Sequence, residues 1–191
     1  MIKTYHFDVA ALAPSRGEAL GYLRARSAQG DALDAMLTAA FDELKEIAEC
    51  RCRAGLFPIE AADALSPTLR REQLANCDAF WLFSATTGTE IDRRIARLSL
   101  TAPSRAAVLD AAAGALVEAL CDALTDELQE ETPNGVFGRR FSPGYGSFPL
   151  SAQKTVFEML QLSRIGVGLN DSLLLSPAKT VTAVIGVTYQ K

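Results

Sequence analysis

The chain has 191 residues, enough for one ordinary domain that buries roughly 70% of its unfolded surface without metal or disulfide staples. Apolar residues make up 49% and charged residues 22%, the profile of a globular protein rather than a disordered or fibrous one. A formal net charge of −4 carries no clustered excess of Lys and Arg, so nucleic acid is not an expected partner, although a local cationic pocket is compatible with that balance.

The opening MIKTYHFDVA has no apolar stretch behind a basic start, and no apolar run reaches the roughly 18 residues of a membrane span, so neither leader nor membrane anchor is expected. Tyr5 to Val9 alternates like a strand. Pro14-Ser15 opens a short helix carrying Ala19, Leu20, Tyr22 and Leu23. From Asp31 to about Glu49 the residues Leu33, Met36, Leu37, Phe41, Leu44 and Ile47 recur at three- and four-residue steps, an amphipathic helix with Asp31 as its cap. Ala54 to Ala64 contains Gly55 and Pro58 and reads as irregular or as an edge strand. Ser66-Pro67 starts another short helix, serine as cap and proline at its first position.

Ala79-Phe80-Trp81-Leu82-Phe83-Ser84 is an aromatic-rich apolar run and predicts a buried strand, broken by Thr86-Thr87-Gly88. Thr89 with Asp92 has capping-box spacing for a helix through Leu98. Ser104 is the expected cap of the longest helix, Arg105 to Glu130, whose small residues Ala111 to Ala115 allow another element to approach closely. After residues 138–149, read as a loop, Ser151 is expected to cap a helix to about Leu162. Strand signals follow at Arg164–Leu169, Leu173–Leu175 and Thr180–Val187, the last two as a hairpin. No linker or internal repeat interrupts the chain, which predicts a single domain over residues 1–191 with an α+β fold and a mainly antiparallel sheet.

Four cysteines lack the density of a secreted disulfide framework and suggest reduced, cytoplasmic thiols. Cys50 and Cys52 are expected to be one buried and one exposed thiol. With His6 the only histidine, neither a metal site nor a nucleophile–histidine triad is expected, and no catalytic side chain is assigned. Thr86-Thr87-Gly88-Thr89 has the setting of a phosphate-binding turn, but it lacks the spaced glycines or the Gly-Lys-Ser/Thr of known phosphate loops and is read as structural. Glu118, Asp122, Asp126 and Glu130 form a four-spaced acidic ladder. The plain reading is a solvated face; the functional one turns Glu118 or Asp122 toward a ligand's ammonium or hydroxyl groups.

The stretch GRRFSPGYGSFP at 138–149 is the strongest candidate site. Its glycines at 138, 144 and 146 free the backbone for close approach, and Pro143 and Pro149 stiffen it. Arg139 and Arg140 offer planar forks for a carboxylate or phosphate, and Tyr145 an aromatic face. A helix starting just beyond would aim its positive end at the same place. The residue types fit a small anionic or zwitterionic ligand with a flat ring.

Arg140-Phe-Ser-Pro-Gly-Tyr145, with Pro149 and a helix containing Lys154 and Phe157-Glu158-Met159-Leu160, resembles the activation (reactivation) domain of cobalamin-dependent methionine synthase. That family carries R-x-x-P-G-Y, a proline four residues on, and a helix with an E-K then W/F-x-L-L pattern. Ala115 to Asp122 is similar to its A-x-x-x-E-x-x-A-D/E helix, and Ser172 to Ala183 to its C-terminal hairpin motif. Ala79 to Gly88 resembles its strand and T-x-G turn, and Glu18 to Leu23 the first helix of free-standing relatives.

The resemblance implies a curved domain with a bent antiparallel sheet, and S-adenosylmethionine as ligand. It would place Arg140 on the ligand's carboxylate, and the backbone at Ser142, Gly144 and Tyr145 against its adenine and amino-acid ends. Asp122, with Glu118 next, would lie near its charged groups. It further implies a role in reductive methylation of cob(II)alamin, with the cobalamin carried by a methionine synthase subunit or another corrinoid protein, and a flavodoxin-like electron donor. A non-catalytic interaction or assembly subunit is the alternative.

Overall fold

The computed structural model describes residues 1–24 and 30–189. Five strands form one antiparallel sheet: β1 (Ile2–His6), β2 (Arg51–Pro58), β3 (Ala79–Thr86), β4 (Gly135–Phe141) and β7 (Thr180–Tyr189), in the order β1-β2-β3-β7-β4. A separate two-stranded ribbon joins β5 (Gly168–Leu169) to β6 (Leu175–Ser176). The α+β expectation holds, and every strand pair is antiparallel.

Period-two alternation along β3 decides the layering. Trp81, Phe83 and Ala85 face a core built with α1 (Arg16–Tyr22), α2 (Asp31–Ile47), α5 (Thr89–Thr101) and the long α6 (Pro103–Glu130). Phe80 and Leu82 face a second core covered by α3 (Ala62–Leu65), α4 (Pro67–Glu72) and α7 (Gln153–Leu160). A sheet covered on both faces explains why β3 is buried at every position and reads as a continuous apolar run rather than an alternating one. Trp81 illustrates the fit, since its Nε1–H donates to Thr132 Oγ1 (3.0 Å) while its ring fills the core.

Expected local signals hold at several places. Ser15 and Ser66 accept from the backbone N–H groups of Glu18 and Leu69, capping α1 and α4, and Pro67 sits at the first helical position. Gly114, among the small residues of α6, lets the Tyr22 ring lie where a β-carbon would be only 3.0 Å away.

Other expectations are corrected. The first strand is Ile2–His6 rather than Tyr5–Val9, because a 3-10 turn at Val9–Ala11, capped by Asp8, takes over. The segment expected to be irregular or an edge at Ala54–Ala64 is β2 from Arg51, an interior strand hydrogen-bonded on both sides, and only Ile59 onward is helical. Gly30, Gly88 and Ala102, not Asp31, Thr89 and Ser104, hold the cap positions of α2, α5 and α6, and no side-chain cap hydrogen bond is made there. Asp92 is instead used at long range: its Oδ2 accepts from Ala178 N–H at 2.7 Å.

Ser151 lies inside a 3-10 turn, Leu150–Ala152, and caps nothing. The helix ends at Leu160 and a 3-10 turn at Leu162–Ile165 takes the start of the strand expected at Arg164–Leu169, of which only Gly168–Leu169 forms. Leu175–Ser176 pairs with β5 and not with β7, so the expected last hairpin does not form. Cys50 and Cys52 are both buried, correcting the expectation of one exposed thiol. Burial pushes the Cys50 and Cys121 thiols up to about 12, and it raises Cys52 further still.

Candidate functional site

Residues 138–141 belong to strand β4, not to a loop as expected, and β4 carries an irregularity that aims the site. Phe137 pairs with Val187 and Arg140 with Ile185, so three residue steps on β4 oppose two on β7. The extra residue is a bulge. Without it, Arg140 would point to the face opposite Phe137; with it, both face α6. Arg140 consequently reaches the acidic ladder. Its Nη2 donates to Glu118 Oε2 at 3.1 Å, and Nη1 lies 3.0 Å from Asp122 Oδ1 without the alignment of a hydrogen bond. Asp126 and Glu130, further down the same helix, remain exposed.

Beyond Phe141 the chain leaves the sheet through a tight bend. Gly144 and Gly146 take φ values of 96° and 56°, which glycine tolerates and most side chains do not. The bend closes on itself: Tyr145 N–H donates to Ser142 O (3.2 Å), Gly144 N–H to Phe148 O (2.8 Å) and Phe148 N–H to Tyr145 O (3.0 Å). Phe148 is fully buried in the second core, and Gln73 Nε2 holds Ser147 Oγ from outside, so the bend is fixed by its anchor as well as by its prolines.

Because β4 departs at Phe141, opposite Val184, the next residues of β7 toward its start, Thr180 to Ala183, have no strand on that side. Thr87 N–H donates to Lys179 O, which sets the alternation and turns the backbone N–H and C=O of Thr180 and Thr182 toward this open edge. The notch is a cleft of about 740 Å³. Arg140 and Glu118 form one wall, Ser142, Tyr145 and Leu150 another, and Leu173–Leu175 a rim; Gln153 and Thr180–Ala183 also line it. The rim and floor are tethered to the helices by Lys179–Asp110 (3.0 Å) and by Asp92 on Ala178. Its size is that of a small-molecule site.

Of the residues expected at a site, Arg140, Ser142, Tyr145 and Glu118 line the cleft; Gly144 shapes the bend behind it, and Asp122 touches Arg140 without lining it. The backbone N–H groups of Gly144 and Tyr145 are used inside the bend, which leaves side chains and the β7 edge as the donors facing the cleft. Arg139 falls on the bulge and is exposed. Gln153 was not foreseen as part of a site. It is 4% exposed, accepts at Oε1 from Thr182 Oγ1 (3.0 Å), and among the described residues has no partner for Nε2. Nothing in a lone glutamine beside Lys154 marks it; only its packing against β7 does.

Two other groups gain a structural role. The Thr86–Gly88 turn is buried against Glu49 and Lys179, in keeping with its structural reading. Arg53, 6% exposed, donates Nε–H to Leu160 O (2.6 Å) at the C-terminal end of α7, and Nη1–H to Thr4 Oγ1 (2.9 Å). The Tyr22 hydroxyl is shifted up, first by burial and then by the Glu118 carboxylate, so it stays protonated at neutral pH. Among the described residues no cluster of histidine, cysteine and carboxylate groups could hold a metal, and no helix is long and apolar enough to cross a membrane.

No protein-family model matches the chain, and no curated protein matches it. Among solved structures, the crystal structure of the MetH reactivation domain bound to AdoHcy matches 100% of this chain and 79% of its own length, with a TM-score of 0.70 and 16% identity. The chain therefore has the fold of that domain.

Proposed function

We propose that the cleft binds S-adenosylmethionine and that the chain, acting as one domain over residues 1–191, supports reductive methylation of cob(II)alamin held by a separate corrinoid protein. One observation carries this reading. In a fold shared with a domain that binds AdoHcy, Arg140 lines a small-molecule cleft with one guanidinium nitrogen, Nη1, buried and, among the described residues, in ion contact with Asp122 but without a hydrogen-bond partner. A planar fork is suited to the ligand's carboxylate.

Glu118, with Asp122 behind it, supplies negative charge for the ammonium and sulfonium groups. Two carboxylates against one guanidinium leave a formal −1, which a ligand of net charge +1 neutralises. The Tyr145 ring and the apolar rim from Leu173 to Leu175 offer flat surfaces for adenine. The sulfonium is already an activated methyl donor, so the task of this chain is to hold and orient it, which agrees with the absence of a histidine near the cleft. A corrinoid-carrying methionine synthase subunit in the cytoplasm, re-reduced by a flavodoxin-like donor, is the partner system this reading calls for.

A calorimetric titration with S-adenosylmethionine tests the ligand half; saturable heat near one equivalent is expected, and none from a folded sample would remove it. The ion contacts that already hold Arg140 favour a second reading, an interaction subunit in which Arg140, Glu118 and Asp122 are only a structural tie. A folded protein that binds a corrinoid methyltransferase but no S-adenosylmethionine would establish that one.

A further inference from the structure

At and beneath the cleft the sheet is polar where a core would be apolar; Gln153 and Thr182 line the cleft and Ser84 lies buried beside them. On the α7 face of the sheet, Ser84 stands directly opposite Thr182, and Gln153 packs over Thr182 from α7. All three are buried, and two of their polar atoms, Ser84 Oγ and Gln153 Nε2, have no protein partner among the described residues. A buried amide left unpaired is costly to the fold, so a site retains one when something else satisfies it.

Thr182 Oγ1 donates to Gln153 Oε1, which occupies the acceptor end and leaves the two N–H donors of Nε2 without a protein partner among the described residues, on a side chain that lines the cleft. The unpaired end of this side chain offers donors, beside a β7 edge that offers backbone N–H and C=O groups. An acceptor without a hydrogen is matched there, and a donor is rejected by two unpaired N–H groups.

We infer that Gln153 is a specificity-determining residue whose side-chain amide, keyed by Thr182, donates to a ring-nitrogen acceptor of a bound purine. This rests on the ligand reading above. The spacing fits such a ligand: Arg140 pairs with Ile185 on the α6 face and Gln153 meets Thr182 on the α7 face, backbone positions three residues or roughly 10 Å apart along β7 at about 3.3 Å per residue, and both side chains line the cleft at the open edge. A carboxylate at the first end and a flat heterocycle at the second are joined across that span by an adenosyl amino acid. Leu150, Phe141 and Leu173 give the ring apolar walls beside the amide.

The test compares the protein with its Gln153→Met variant, which keeps side-chain length and removes the donors. Both are titrated with S-adenosylhomocysteine and with analogues in which one purine ring nitrogen at a time is replaced by C–H. The native protein is expected to lose about tenfold or more on one analogue of the series. Gln153→Met is expected to bind the parent about tenfold more weakly and to lose nothing further on that analogue. A variant that keeps parent affinity, or that discriminates the series as the native protein does, overturns the proposal.

Melting without added ligand supplies a second reading, with Thr182→Val added to Gln153→Met so that no buried hydroxyl is stranded. An amide held ready for a ligand predicts that this double variant melts at or above the native temperature, whereas a drop of several degrees assigns Gln153 to the fold and overturns the proposal. If the native protein gives no heat with any compound, the ligand reading of the cleft fails, and the melting comparison alone decides whether the amide is a poised donor.

Discussion

Replacing Arg140 with alanine tests the site at its centre. The guanidinium is shared between Glu118 and Asp122, and the Arg140 side chain is 30% exposed. A charge-assisted contact to a ligand carboxylate is worth about 1.5–3 kcal/mol, and partial exposure favours the lower half of that range. The expected loss in S-adenosylmethionine affinity is therefore about ten- to thirtyfold, since about 1.4 kcal/mol is tenfold. Stability should change little, because the variant leaves two carboxylates four apart on α6, a repulsion of a few tenths of a kcal/mol. Calorimetry reads the affinity, and the emission of Trp81, buried against Thr132, reports that the fold is intact. Arg140→Lys, which keeps the charge but not the fork, should recover only part of the loss. An unchanged affinity in a folded Arg140→Ala protein would refute the assignment of this residue to the carboxylate.

Further expectations test the charge balance and the scaffold. With a formal −1 at the Arg140 cluster, S-adenosylmethionine should bind several-fold tighter than its uncharged-sulfur counterpart S-adenosylhomocysteine, and the gap should narrow with added salt; equal affinities at low salt would count against it. Arg53→Met strands the carbonyl of Leu160 and should destabilise by about 1–3 kcal/mol, read by denaturant unfolding. Gly186→Ala places a β-carbon 2.4 Å from Cys77 Sγ and 3.0 Å from Leu74 Cδ2, so the variant should lose about 1–3 kcal/mol from overpacking.

Stability should also fall in alkali. The buried thiols of Cys50, Cys52 and Cys121 have raised pKa values when folded, while in the unfolded chain they ionise near 9.0. Below about 9 both states hold the protons. Above it the unfolded state sheds them first and gains, at about 1.4 kcal/mol per pH unit and thiol. A stability that is flat between pH 8 and about pH 10.5 would contradict this.

Much of the scaffold follows from the order of residues alone. The aromatic run from Ala79 to Ser84 reads as a buried strand, and the stripe from Leu33 to Ile47 as a helix with one buried side, and both form. Ser15 and Ser66 announce their helices because a hydroxyl beside a free N–H is a local bond, made without help from the rest of the chain. The stiff Pro143–Gly144–Tyr145 bend and a nearby guanidinium are likewise written in consecutive residues.

The remainder depended on partners distant along the chain. The cap positions of α2, α5 and α6 fall one or two residues before Asp31, Thr89 and Ser104, and Asp92, expected in a capping box, accepts from Ala178 instead. No local pattern shows that one extra residue before Arg140 turns it to the α6 face, since a bulge exists only relative to the strand it opposes. The open edge of Thr180–Ala183 exists only because β4 ends where it does, and Gln153 acquires its unpaired donors only through Thr182. Hydrophobic period and caps are short-range and legible along the chain, whereas register, strand departure and buried polar pairing are decided where segments far apart in sequence meet.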